Sequence, residues 1–334
     1  MAAPTYAKRK HFADLDGWSE DDHAAALRAL GNSPPRHAEA FAREADARAF
    51  FENAFDAFAL DTETPGFVTG YYEPVIRGSR TRSTQFSIPI YGRPDDLVTT
   101  IGETERAAHN DHITGFRQTA DGPVPYYTRA EIDDGVLNGL GLELLFTDDA
   151  VDLFFMHVQG SGLVHLDDGT SVRLTYAGKN GHPYTSIARV LIDRGELDPD
   201  NVDMNSVKAW LRVDRARGRE LLHQNQSYIF FAQLAQHESA LGPQGAEGVP
   251  LTPGRSLAVD PAFIPLGSTV FVTVPGLEDP NGRPFRRLMI AQDVGSAIRG
   301  PQRGDIFFGT GETAGTQAGR TRHAAKFHVL MQKR

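Results

Sequence analysis

The stretch AQDVGSAIRGPQRGDIFFGTG, residues 291–311, decides how this chain is read. It sets two aspartates, Asp293 and Asp305, in a run rich in glycine and small residues. Asp293 ends the apolar run LMIAQ, and Asp305 opens the strand-like IFF after Gly304. Upstream, RSLAVDPAFIPLGSTVFV places Asp260 before Pro261 and a Pro-Leu-Gly turn. Each acid stands where a strand-like run meets a turn. Taken alone, each is a turn cap, because aspartate bonds its own backbone there. Taken together, their similar placement points to a β-barrel that gathers carboxylates into a cleft. Gathered carboxylates shift each other's pKa, and one kept protonated near neutral pH can cleave a glycosidic bond.

Outward from that stretch, the chain from residue 227 to the C-terminus is almost all β: SYIFFAQL, STVFVTVPGL, FRRLMIAQDVG, DIFFGTG and AKFHVLMQ, with turns at Pro253-Gly254 and Asn281-Gly282. From Gly66, FVTGYYEPVIRGSR, SIPIYGRP, LLFTDDAVDLFFMHVQGSG and VRLTYAGKNG are also strand-like. TSIARVLIDRGE and MNSVKAWLRVDRARGRELLHQN supply helices between these runs, the second after an Asp203 cap. At the N-terminus, residues 19–31 read as a short helix with Ser19 as N-cap, and residues 35–58 as a longer amphipathic one. The fold class is therefore mainly β with peripheral helices. A chain of 334 residues suits two domains. No linker separates them, which implies one domain inserted into the other.

Composition excludes several functions. The net charge is −9 with no basic stripe, which argues against nucleic acid as partner. There is no cysteine, so neither disulfides nor thiolate metal sites are available. The twelve histidines contain no HExxH, and His237-Glu238 point to different sides, so no metal or cofactor is expected. No GxSxG elbow is present. No run approaches the ~20 apolar residues that span a bilayer. MAAPTYAKRKHF has a basic patch without the apolar core of a signal peptide.

Three further segments carry polar groups suited to sugars. VQGSG offers Gln159, with donor and acceptors, before Gly160, Ser161 and Gly162, small enough for close ligand approach. TYAGKNGHPY places Tyr176, Gly178, Lys179 and Asn180 together with His182 and Tyr184. A glycine-rich β-to-α connection explains the same residues. TGYYEP presents Tyr71, Tyr72 and Glu73; alternation puts Tyr71 and Glu73 on one face, so one tyrosine is core. Glu73 rivals the aspartates as a catalytic acid.

GYYEP, VQGSG, YAGKNGHPYTSIARVLIDRGE, NQSYIFF, VDPAFIPLG and DVGSAIRGPQRGDIFFG together resemble the membrane-bound lytic transglycosylase A (MltA) family, in family order from about residue 66 to the C-terminus. The last part resembles its three-aspartate (3D) double-psi β-barrel domain. The resemblance implies a double-psi barrel from residues 1–79 and 228–334, a second β-barrel inserted at 80–227, and a glycan groove between them. It implies cleavage of the β-1,4 bond between N-acetylmuramic acid and N-acetylglucosamine in peptidoglycan, with a 1,6-anhydro product. It places the single acid–base at Asp305, with Asp293 and Asp260 as supports. Tyr71, Tyr72, Glu73, Gln159, Gly160, Ser161, Gly162, Tyr176, Gly178, Lys179 and Asn180 become glycan-binding residues. It implies a periplasmic, monomeric enzyme at the outer membrane, although the lipidated cysteine of many members is absent here. A hydrolytic muramidase and a non-catalytic glycan-binding protein on the same scaffold remain open.

Overall fold

A computed structural model describes residues 6–34, 46–60, 65–99, 112–235, 241–278 and 282–333. The chain forms two compact units. Met1–Tyr72 and Ala240–Arg334 make the first, and Glu73–Ser239 make the second.

The N-terminal segment runs β1 (Tyr6–Lys10), α1 (His23–Asn32), α2 (Ala47–Ala54), β2 (Phe55–Leu60) and β3 (Gly66–Glu73). The cap of α1 is Asp22, whose carboxylate accepts the Ala25 N–H at 2.9 Å, and not Ser19. Ser19 lies in a 3-10 turn, Trp18–Glu20. The expected helix over 35–58 is partly outside the described residues. Its described end is α2 followed by β2, because Phe55 to Ala59 pair with the last strand of the chain and that pairing overrides helical periodicity.

The inserted segment runs β4 (Val75–Ser79), β5 (Ile88–Tyr91), β6 (Phe116–Thr119), β7 (Gly122–Pro125), α3 (Arg129–Asp133), β8 (Glu143–Thr147), α4 (Ala150–Gln159), β9 (Gly162–Leu166), β10 (Ser171–Lys179), α5 (Ile187–Asp193), α6 (Met204–Val213), α7 (Arg215–His223) and β11 (Ile229–Gln233). The chain then returns as β12 (Ser256–Val259), β13 (Thr269–Glu278), β14 (Pro284–Val294), β15 (Arg303–Thr310), α8 (Glu312–Arg320) and β16 (Arg322–Gln332).

In the first unit the strand order is β1-β2-β16-β13-β14-β12-β15-β3, and β3 also pairs with β16. Six strands thus close on themselves, as the expected double-psi barrel requires, with β12 parallel to β14. Closure leaves no free edge among those six. Val68, Leu257, Val259, Met289, Ile306 and Phe327 belong to its core. Outside, α1 and α2 bring Leu27 and Phe51, with Trp18, onto Phe271, Leu288 and Ile290.

The second unit holds a sheet ordered β11-β10-β9-β4-β8-β5, and a bridge from Gly92 to Phe231 links its two ends. It is a second barrel-like sheet. The expected breakpoints at 79/80 and 227/228 fall inside this unit, because β4 and β11 are strands of its sheet. Residues 150–159 are a helix where the apolar run read as a strand. Asp149 caps it by accepting Val151 and Asp152 N–H groups. The helix lies between two apolar layers. Leu153 and Met156 join the sheet core, while Val151, Phe154 and Phe155 join the core made with α5, α6 and α7. An element apolar on all sides shows no single stripe, so periodicity could not separate helix from strand.

Candidate active site

Strand register builds the site in the first unit. Ala258 on β12 pairs with Asp305 on β15 and with Asp293 on β14. One row across three strands therefore reads Asp293, Ala258, Asp305, and the small side chain in the middle leaves room between the acids. Simple alternation would have put Asp293 on the face of Ala291, a core residue. A bulge prevents this. Leu257 pairs with Ala291, but the next residue, Ala258, pairs with Asp293. Gln292 is the extra residue, and such an insertion re-aims the side chains that follow it. Its own side chain is buried and accepts from Ser256 Oγ at 2.6 Å while donating to the Ala29 carbonyl and Ser33 Oγ.

Strand β3 supplies the other partners. Thr69 and Tyr71 share a face, as alternating residues must. Thr69 Oγ1 donates to Asp305 Oδ1 at 2.5 Å. Tyr71 Oη donates to Asp293 Oδ2 at 2.8 Å, and its ring lies 5.3 Å from Phe307. Between them, Gly70 has no room for a side chain: a Cβ would meet Phe308 at 2.6 Å and the Ala318 Cα at 2.8 Å. Arg303 Nη2 donates to Thr69 Oγ1 at 2.8 Å, which turns the threonine proton toward Asp305.

The two carboxyls are served unequally. Asp293 accepts three hydrogen bonds: Tyr71 Oη on one oxygen, and the N–H groups of Ala246 and Val294 on the other, both at 2.9 Å. Asp305 accepts one, on Oδ1, and Oδ2 has no protein partner among the described residues. Burial raises both pKa values. For Asp293 the three donors oppose it. For Asp305 burial prevails over Thr69 and the Arg303 cation, Asp293 adds its like charge, and the carboxyl is pushed up to about 6. At that value about one molecule in ten is protonated at pH 7. Burial also pushes the Tyr71 hydroxyl well up, so it stays a donor.

The remaining expected residues divide. Asp260, two residues beyond Ala258, shares no hydrogen bond with the row among the described residues. Its oxygens accept the N–H groups of Ala262 at 3.1 Å and Gly300 at 2.9 Å, so it pins the loop before β15 as a turn cap. Tyr72 is buried with its ring over Gly315. Glu73 is fully buried and held on both oxygens by Arg173, at 2.7 and 3.0 Å, and presents no surface to a ligand. Asn180 is fully buried too: Nδ2 donates to the Tyr127 and Gln226 carbonyls, and Oδ1 accepts from Tyr228 N–H. It staples three segments of the second unit. Gly160 is the left-handed C-cap of α4, and a Cβ at Gly162 would strike the Met156 side chain. Gly178 is buried against Arg93. Gln159, Ser161 and Lys179 are partly exposed and Tyr176 is 55% exposed, which leaves these four able to meet a ligand.

Thr69, Arg303, Ala258 and Gln292 were not singled out from sequence. Thr69 had a signal, since it alternates with Tyr71. Among the described residues, no cluster of three acids or histidines could hold a metal.

The fold and this row define a class, a 3D-domain barrel carrying an inserted second barrel. Residues 67–232 match the MltA specific insert domain, and residues 255–331 match the 3D domain. The chain belongs to the membrane-bound lytic transglycosylase A family. It is 38% identical over 267 residues to membrane-bound lytic murein transglycosylase A of Escherichia coli (strain K12), a match that takes in 78% of this chain but 64% of that protein. The membrane-bound lytic murein transglycosylase of Agrobacterium tumefaciens superposes with a TM-score of 0.84 at 36% identity, over 97% of each chain. Escherichia coli MltA with bound chitohexaose superposes at 0.73 and 31% identity, over 100% of this chain and 94% of that one.

Proposed function

We propose that this protein is a peptidoglycan lytic transglycosylase in which Asp305 is the single acid–base. It cleaves the β-1,4 bond from N-acetylmuramic acid to N-acetylglucosamine and leaves a 1,6-anhydromuramyl end. The observation that carries the assignment is the unequal hydrogen bonding of the two acids. Three donors favour the charged form of Asp293, whereas Asp305 has one donor and a free oxygen. A half-buried carboxyl near pKa 6 is a competent acid at the pH where it must also become a base.

Protonated Asp305 gives its proton from Oδ2 to the glycosidic oxygen. The sugar passes through an oxocarbenium-like state. The Asp305 carboxylate, oriented by Thr69, then takes the proton of the muramyl 6-hydroxyl as that oxygen closes on the anomeric carbon. The nucleophile belongs to the substrate, so no second carboxylate has to activate water, and proximity favours the internal attack. Asp293, held by Tyr71, keeps its charge close to the developing cation. Asp260 acts from a distance, by fixing the loop that leads to Asp305. Gln159, Ser161, Tyr176 and Lys179 of the inserted unit contact the glycan. Such a protein works in the periplasm; among the described residues no helix is long and apolar enough to cross a membrane.

Mass analysis of sacculus digests tests this. Products one water lighter than their reducing-end counterparts are expected. Reducing-end products alone would make the protein a muramidase, and no cleavage at all would leave a glycan-binding protein.

A further inference from the structure

The inserted unit contains a cavity of about 630 Å³ among β5, α3, α4, α6 and α7. That is within the range of small-molecule sites. Two of its lining residues are deeply buried and polar: Arg129 is 3% exposed and His157 is 4% exposed. Arg129 bonds only neutral acceptors. Nε donates to the Asn225 carbonyl at 3.1 Å, Nη2 to the Ser227 carbonyl at 2.5 Å, and Nη1 to His157 Nδ1 at 3.0 Å. No carboxylate pairs with it among the described residues, and one N–H on each Nη is left over. Phe154 and Tyr228 flank the guanidinium at 4.7 and 5.1 Å.

The bond from Arg129 fixes the tautomer of His157. Nδ1 accepts, so the neutral ring carries its proton on Nε2. That Nε2 is buried and has no hydrogen-bond partner among the described residues. An orphaned buried donor is costly, so the site calls for an acceptor. Burial and the neighbouring guanidinium hold His157 well below the usual histidine range, which keeps it neutral.

Charge around the cavity is unbalanced in one direction. Three of its aspartates are paired with arginines: Asp149 with Arg212, Asp134 with Arg219 and Asp148 with Arg77; Asp133 bonds His223, and its charge also reaches Arg129 without touching it. Arg82, Arg129 and Arg215 also line it and have no carboxylate in salt-bridge contact among the described residues. Tyr91, Ile132, Leu211 and Leu222 complete an apolar wall. A planar monoanion with an apolar body matches this set. Two Nη–H groups and Nε2–H would meet its oxygens, and the single buried charge would be neutralised.

We infer that this cavity binds a small organic carboxylate of the kind a short peptide C-terminus presents. Nothing in it depends on the glycan chemistry proposed for Asp305. Calorimetry on the full chain with N-acetyl-alanyl-alanine, in L,L and D,D forms, tests it beside the methyl esters and inorganic phosphate. Saturable binding of at least one acid is expected, with its ester bound about tenfold more weakly. The preferred enantiomer tells ordinary protein termini from cell-wall peptides. The exposed pair Arg82→Ala and Arg215→Ala should weaken binding about threefold, and His157→Phe about tenfold, the latter at a lower melting temperature because it also takes the acceptor from Arg129. Asp305→Asn should bind like the wild type, which separates this site from the glycan chemistry. No saturable heat with either acid, equal binding of acid and ester, or binding of phosphate alone would overturn the inference. If His157→Phe does not fold, an unchanged affinity in the arginine pair would do so.

Discussion

Two carboxylates removed from bulk solvent to different degrees, Glu73 buried in one unit and Asp305 half-buried in the other, have opposite fates. Glu73, at the start of the inserted unit, meets Arg173 with both oxygens and is fully paired. Asp305, on the barrel of the first unit, meets one threonine hydroxyl and lies near a like charge. Glu73 closes β3 and Asp305 is the third residue of β15, and both looked suited to catalysis in the sequence. The difference lies in what each carboxylate faces. A matched cation makes a buried acid structural; burial with few donors leaves it poised to carry a proton.

The comparison breaks most visibly in turnover. Asp305→Asn keeps the shape and the Thr69 bond but cannot donate or accept the travelling proton. A 10²- to 10⁴-fold loss of anhydro-product formation is expected, the usual contribution of a general acid–base. Sacculus binding, followed by sedimentation, should persist. Near-normal turnover would remove Asp305 from the mechanism.

Glu73→Gln should act on stability. It leaves the Arg173 guanidinium uncompensated in the interior, which costs about 3–5 kcal/mol, whereas replacing both partners by Met should recover much of that. Melting of the two variants beside the wild type checks it. If Glu73→Gln melts normally but loses turnover, Glu73 belongs to the chemistry and the contrast collapses.

Much of this organisation was legible in the sequence, and the reasons for the rest are specific. The acids at strand ends, the inserted domain and α5 to α7 followed from alternation, turn residues and caps. Whether Asp293 and Asp305 would meet did not, because it depends on a bulge at Gln292 and on the pairing of both strands to Ala258. Register is a tertiary property. Glu73 and Asn180 were read as glycan contacts because they sit in motifs that resemble the family's. Their partners, Arg173 and the Tyr127 and Gln226 carbonyls, are 46 to 100 residues away. Residue type could not tell a buried staple from a binding group.

Asp305 also predicts a pH signature in stability. Its folded pKa, about 6, exceeds the unfolded carboxylate value, so the folded chain holds the proton more tightly. Its contribution is complete below the unfolded pKa and is lost as pH rises through 6. Between those limits the wild type should lose roughly 2–3 kcal/mol relative to Asp305→Asn. Melting curves from pH 4 to 8 should therefore show the variant overtaking the wild type. A constant difference would mean that Asp305 is charged throughout.

The finest separation is between the two neighbours of Asp305. Thr69 stabilises the carboxylate and Asp293 destabilises it. Thr69→Val should raise the pKa of Asp305 and move the alkaline fall of kcat/KM upward, by about one unit or less given the worth of one hydrogen bond. Asp293→Asn removes a like charge and should move the same limb downward by less, since Thr69 outweighs Asp293 in setting that pKa. Lost activity alone would not discriminate, because either change can disturb the site. Opposite shifts can arise only if both groups act on the proton of Asp305. Shifts in the same direction would mean that Asp293, or a group not in the row, is the one that titrates.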